Sequence, residues 1–147
     1  MGGSESWRRP VDKPFEYAVL RVIPRVERGE FINAGVVLYC QVERFLGARV
    51  HLDPARLKAL DPDADLEAVR AHLEAVRSVC AGGPEVGAVG RLPLGERFGW
   101  LVAPRSTVVQ PSPVHTGLTD DPEAELERLL QSMVFPPGCE GPSAGKP

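Results

Sequence analysis

FEYAVLRVIPRVERGEFINAGVVLYCQVERFLGARVHL, residues 15–52, decides the fold. It reads as three antiparallel strands joined by two tight turns. Phe15 to Arg25 is rich in β-branched and aromatic residues, a strand signal. Ala18, Leu20 and Val22 fall on one side of it, and Phe15, Tyr17, Val19, Arg21 and Ile23 on the other. A strand apolar on both sides is a central one, and Pro24 near its end costs little. Glu27-Arg28-Gly29-Glu30 is the first turn, with Gly29 free to take positive φ. The second strand runs from Phe31 to Val42. Its residues Ile32, Ala34, Val36, Leu38, Cys40 and Val42 form an unbroken apolar row, expected to face the core. The third strand sets Leu46, Ala48, Val50 and Leu52 against Phe45, Gly47, Arg49 and His51.

Residues opposite one another in a sheet share a face, so parity constrains register. A three-residue connection, Glu43-Arg44-Phe45, would pair Val42 with Leu46, Tyr39 with Arg49 and Val37 with His51. In the first hairpin an odd-length turn puts Arg21 with Asn33 on the open face. An even one drives an unpaired guanidinium into the core, which is costly, so the odd turn is expected.

Helices follow. Asp53 caps and Pro54 opens a short helix through Leu60. Leu66, Val69, Leu73, Val76 and Cys80 recur at helical spacing until Gly82-Gly83-Pro84 stops the run. Glu85 to Leu94 is Gly-rich and reads as loop, and Leu94 to Ala103 as a short helix carrying Phe98 and Leu101. Ser106 to Gln110 is a brief strand signal. Pro111-Ser112-Pro113 excludes a central strand, and Val114 to Leu118 is extended along a sheet edge. Asp121 and Pro122 start a last helix with the stripe Leu126, Leu129, Leu130, Met133 and Val134.

The expected fold is therefore α+β: a small antiparallel sheet, a three-stranded meander with room for a fourth strand, helices packed on one face, and the last helix closing the core. Residues 1–14 read as a flexible N-terminal segment, 15–135 as a single domain and 136–147 (PPGCEGPSAGKP) as a disordered tail. A chain of 147 residues is long enough to bury a core without staples. A net charge of −3 argues against a nucleic-acid surface. Residues 119–135 hold five acids against one base, an acidic helix face. Three cysteines with no CxxC pair fit neither a disulfide framework nor a zinc knuckle. Cys40 and Cys80 read as small core residues, and a reducing cytoplasm is the expected compartment. MGGSESWRRP has no apolar signal region, and no apolar run reaches membrane-spanning length.

YAVLRVIPRVERGEFINAGVVLYC, then FLGARV, then APRSTVVQPSPVHTGL leading into an acid-rich final helix, resembles the bacterial family known as domain of unknown function 3037. The resemblance covers about Phe15 to Val134. It implies no established activity. Members of that family are often encoded beside a kinase-fold protein resembling the HipA toxins, which implies such a protein as a partner.

One constellation has chemistry in it. Arg105, Ser106 and Thr107, followed by Gln110, Ser112, His115 and Thr116, combine a guanidinium with hydroxyl donors, a pattern suited to binding an anion such as phosphate or carboxylate. The plainer alternative is a loop whose hydroxyls satisfy their own backbone. The open sheet face offers Arg21, Asn33, Tyr39, Arg49 and His51. If residues 105–118 fold back across that face, these groups form one pocket. His51 and His115 lack the hydroxyl at the third position that a two-histidine phosphoesterase needs. No ligand spacing supports a metal, no nucleophile elbow supports a Ser-His-Asp triad, and no cofactor is expected. The favoured reading is a non-enzymatic accessory or protein-binding module. A small enzyme of phosphoester or acyl-transfer chemistry is the alternative. The two separate on geometry: an enzyme brings Arg21, Arg105 and His115 together, whereas a binding module leaves an exposed apolar patch or an unpaired sheet edge.

Overall fold

A computed structural model describes residues 12–138. The expected loose N-terminal segment up to residue 11 and the tail from residue 139, Cys139 included, lie outside the described residues. The strands are β1 (Lys13–Val22), β2 (Ile32–Cys40), β3 (Phe45–Val50), β4 (Val109–Pro111) and β5 (His115–Thr119). The helices are α1 (Pro54–Leu60), α2 (Leu66–Ala81), α3 (Leu94–Val102) and α4 (Pro122–Met133). Two short 3-10 turns, Pro84–Val86 and Ala88–Arg91, replace most of the expected loop. β1 takes in Lys13 and Pro14, two residues read from the sequence as loose.

The sheet is antiparallel in the order β3-β2-β1-β4, with β5 on the same side of β1 as β4. β4 pairs with Leu20, Arg21 and Val22, and β5 with Lys13 to Tyr17. Between the two, Ser112 continues the ladder. Its N–H donates to Val19 O at 2.8 Å, and its Oγ accepts from Val19 N at 2.8 Å. Flanking prolines can sit here because only the inner side of this edge needs donors.

The α+β class and the antiparallel sheet agree with the sequence reading. The distribution of the helices differs. α2 and α3 cover one face, over a core that includes Leu20, Val22, Val37, Leu73 and Phe98. α4 covers the other, over Phe15, Val36, Leu38, Cys40, Leu126 and Leu130. The reason lies in β2. The pairs Leu20↔Gly35 and Arg21↔Asn33 skip Ala34, a β-bulge. Beyond it the parity flips, so Ile32 and Ala34 face α2 while Val36, Leu38 and Cys40 face α4. The row that looked unbroken is thus split between two cores. A strand fully buried on both faces has hydrophobic residues at successive positions, and β2 shows this in Val36, Val37 and Leu38, all 0% exposed.

The first hairpin keeps the expected pair Arg21↔Asn33, with Gly29 at φ +71°. The second differs. Tyr39 pairs with Leu46 and Val37 with Ala48, not with Arg49 and His51. The turn spans Gln41 to Arg44, with Arg44 at φ +53° and its N–H donating to Gln41 O. Val42 lies on that turn and is 63% exposed, not in the core. Three of the four helix starts are capped by an aspartate: Asp53 accepts from Ala55 N and Arg56 N, Asp65 from Ala68 N and Asp121 from Ala124 N.

Candidate functional site

β3 is the end of the sheet, and among the described residues it pairs with β2 alone. Its hydrogen-bonding parity follows from one contact. His51 N donates to Ala34 O at 2.8 Å, so His51 and Ala34 form a hydrogen-bonded pair. In an antiparallel ladder such pairs alternate. Phe45, Gly47 and Arg49 therefore direct their backbone groups at β2, while Leu46, Ala48 and Val50 direct theirs outward. Three N–H and three C=O groups point away from the sheet. Natural edges are usually blunted by lysine, proline, bulges or short length. FLGARV has none of the first three; its one charge, Arg49, is held against α4 by Glu123 and Glu127.

A groove of about 620 Å³ runs along this edge. Arg77 comes from the helix on one face and Glu123, Leu126, Glu127 and Leu130 from the helix on the other, with Phe135 closing the end. Arg49 is the polar centre. It donates to Glu127 at 2.9 Å and also to Glu123. Arg49 and Glu127 are each 16% exposed, so this pair is better shielded than a surface ion pair. Arg49 Nε is buried and has no hydrogen-bond partner among the described residues. His51 lies 4.4 Å, ring to ring, from Phe135. Gly47 lets the floor close tightly: the Phe45 ring and Leu126 fill the space beside it, and a Cβ there would lie 2.8 Å from that ring and 3.1 Å from Leu126.

The structure divides the residues that the sequence grouped into one pocket. Arg21, Asn33, Arg49 and His51 do share a face, but α4 covers much of it. Asn33 donates to Met133 O at 2.9 Å, at the C-terminal end of α4. Arg49 binds the acidic side of that helix, and Arg21 lies 4.4 Å over Phe31. Tyr39 points the other way and stacks on Phe98. Residues 105–118 do not fold across the sheet; they extend it. β3 and β4 are three strand spacings apart, roughly 14 Å, so Arg49 and His51 do not meet that segment. Arg105 is held by α3: its Nε donates to Ala103 O at 3.2 Å, its other guanidinium nitrogen to Trp100 O, and it stacks on the Trp100 ring. His115 packs on Tyr17 at 5.3 Å and Thr116 is exposed beside it.

Ser106 and Thr107 line a second groove, of about 600 Å³, on the α2 face. Thr107 Oγ1 donates to Val109 O at 2.7 Å. Asp61, Asp63, Asp65 and His72 share this groove, so its field repels an anion. Burial, and then the charge of Arg105, hold His72 below the ordinary imidazole pKa. Among the described residues no group of three or more His, Cys, Asp or Glu is placed to hold a metal ion. Cys40 and Cys80 are both buried, and burial pushes the Cys80 thiol up to about 12. No described helix is long and apolar enough to cross a membrane.

A family model described as "Protein of unknown function (DUF3037)" matches residues 17–134. The chain belongs to that family. The match takes in all of β2 to β5 and all four helices, and so the free edge and its groove. No curated protein and no solved structure matches the chain.

The sequence reading missed Arg97 and Glu127. The signal for Glu127 was available: Glu123 and Glu127 stand four apart, on the same side of α4 as Leu126 and Leu130 and so within reach of a buried cation. Arg97 carried no such signal, since a lone arginine in a short helix reads as surface.

Proposed function

We propose that this family member is a non-enzymatic accessory module that binds another protein by accepting its strand on the free edge of β3. The observation that carries this reading is the outward row of Leu46, Ala48 and Val50 backbone groups, without a strand partner among the described residues and lying in a groove. Strand addition draws affinity from main-chain hydrogen bonds and selectivity from side-chain pockets beside the edge. Both are present here, the side-chain pocket being the groove beside Arg49, His51 and Phe135. The family resemblance names a HipA-like kinase-fold protein as the candidate partner. The bacterial cytoplasm is the compartment this assumes, and two buried free thiols suit it.

The alternative, phosphoester or acyl-transfer chemistry on residues 105–118, has less support. Arg105 is engaged with α3, and Ser106 and Thr107 open into an acid-lined groove. Anion binding there is disfavoured for the same reason.

The test is co-purification from the native host with the unmodified chain and with Ala48→Pro. Proline removes an N–H that points outward, so the β2–β3 ladder keeps its bonds. A stoichiometric kinase-fold companion that is lost with Ala48→Pro supports the proposal. A companion retained undiminished by the variant contradicts it.

A further inference from the structure

β3 is self-complementary in a single register. Leu46, Ala48 and Val50 are the outward-bonding residues, so a strand laid beside them must match outward positions to outward positions. When that strand is β3 of a second copy, running antiparallel, three registers do so with at least two pairs among these residues. A twofold axis at Gly47 matches Leu46 with Ala48, and leaves Val50 against Arg44, which sits in a turn at φ +53°. An axis at Arg49 sets two guanidinium groups face to face, a repulsive cross-strand pair. An axis at Ala48 uses all three outward residues. Leu46 lies opposite Val50 of the second copy, Ala48 opposite itself and Val50 opposite Leu46. Three such pairs exchange six hydrogen bonds, two per pair.

The side chains agree with that register on both faces. On the α2 side, apolar Leu46 meets apolar Val50 and the small Ala48 lies on the axis. On the α4 side, each Arg49 lies opposite Gly47 of the other copy, so no two cations face each other across the axis. Phe45 lies opposite His51, an aromatic pair. The four charged groups lining the groove, Arg49 and Arg77 against Glu123 and Glu127, sum to zero, so two identical edges do not repel.

We propose that a second copy of this chain occupies the free edge of β3, pairing β3 with β3 about a twofold axis at Ala48. This rests on the reading of β3 as the docking edge and names its occupant. The two sheets then continue into one sheet of ten strands, with α4 and its symmetry mate on one face and the two α2 helices on the other. A twofold contact of this kind closes on itself and leaves no further free β3 edge. A partner strand that uses the same edge must displace the second copy, so dimerisation and partner binding exclude each other.

The experiment uses the full chain, unmodified. Sedimentation equilibrium gives its mass over a range of concentrations. An isotope-filtered NOE spectrum of mixed labelled and unlabelled protein then reads the register. Non-hydrogen-bonded pairs bring Hα atoms close across an antiparallel ladder, so intermolecular Gly47 Hα to Arg49 Hα cross-peaks are expected. A dimer showing them supports the proposal. A dimer lacking them, with unprotected Leu46, Ala48 and Val50 amides, associates elsewhere and overturns it. A monomer at NMR concentration also overturns it. In that case the amides are followed on adding the kinase-fold protein. Protection of Leu46, Ala48 and Val50 leaves strand addition standing with a different occupant; binding without their protection removes strand addition as well.

Discussion

Replacing Arg97 by methionine should lower stability more than any surface change to this chain. Arg97 is a buried cation with no ion-pair partner among the described residues. Its Nε donates to Leu92 O at 3.0 Å, and one terminal nitrogen donates to Val79 O and Cys80 O at 3.0 Å each. Val79 and Cys80 lie in the last turn of α2, where carbonyls lose their helical partners and the helix dipole is negative. The guanidinium thus stands where a basic side chain is most stabilising. Methionine fills similar volume and leaves these two buried carbonyls, and Leu92 O, without that donor. An unsatisfied buried carbonyl costs about 1–3 kcal/mol, and relief of the guanidinium's own desolvation offsets part of the sum. The net expectation is about 3 kcal/mol. With a urea m-value of about 2 kcal/mol/M for a chain this size, the unfolding midpoint should fall by about 1.5 M. Gly82 supplies an internal check. It sits at φ +76°, and a Cβ there would lie 2.2 Å from an Arg97 guanidinium nitrogen. Gly82→Ala should therefore be less damaging in the Arg97→Met background than alone, a positive departure from additivity. A midpoint unmoved by Arg97→Met, or strictly additive costs, would refute the capping role.

Three further outcomes follow from the packing. Leu126→Ala removes a side chain 1% exposed beneath the β3 groove and should cost about 3 kcal/mol in denaturant unfolding; a cost under about 1 kcal/mol would mean α4 is not packed there as described. Ser112→Ala leaves Val19 N without its acceptor between β4 and β5 and should cost about 1–2 kcal/mol, with faster amide exchange at Val19; unchanged exchange there would remove the hydroxyl from the ladder. His72, whose pKa is lowered by burial, favours the folded state while neutral. That contribution is complete above the ordinary value of 6.5 and is lost as pH falls through the lower folded value. A melting series should show a small decline on acidification through this window that His72→Gln flattens, and an unflattened decline would assign it to other groups.

The elements were legible where one local rule decided them. Asp53-Pro54 and Asp121-Pro122 fixed two helix starts, the apolar spacing from Leu66 placed α2, and Gly82 marked its end. The faces were not legible, because a single skipped residue, Ala34, reverses every side chain after it. Nothing in FINAGVVLYC marks a bulge that pairing with β1 alone creates. The same error put α4 on the wrong side and made the Arg49 face look open. Residues 106–110 and 114–118 carried extended signals that overlap β4 and β5, but their place beside β1 rather than over it depends on β1 having a free edge. That is a property of the whole sheet. The hairpin between β2 and β3 came out a few residues off because Val42 looked like core. Turn strain at Arg44 cannot be weighed from residue identity.

Amide hydrogen exchange along β3 in dilute, partner-free chain is the most direct trial of the edge itself. The account predicts alternation: Gly47, Arg49 and His51 protected by β2, with Leu46, Ala48 and Val50 exchanging at nearly the unfolded rate. Uniform protection of all six, or protection at the even positions alone, would contradict it.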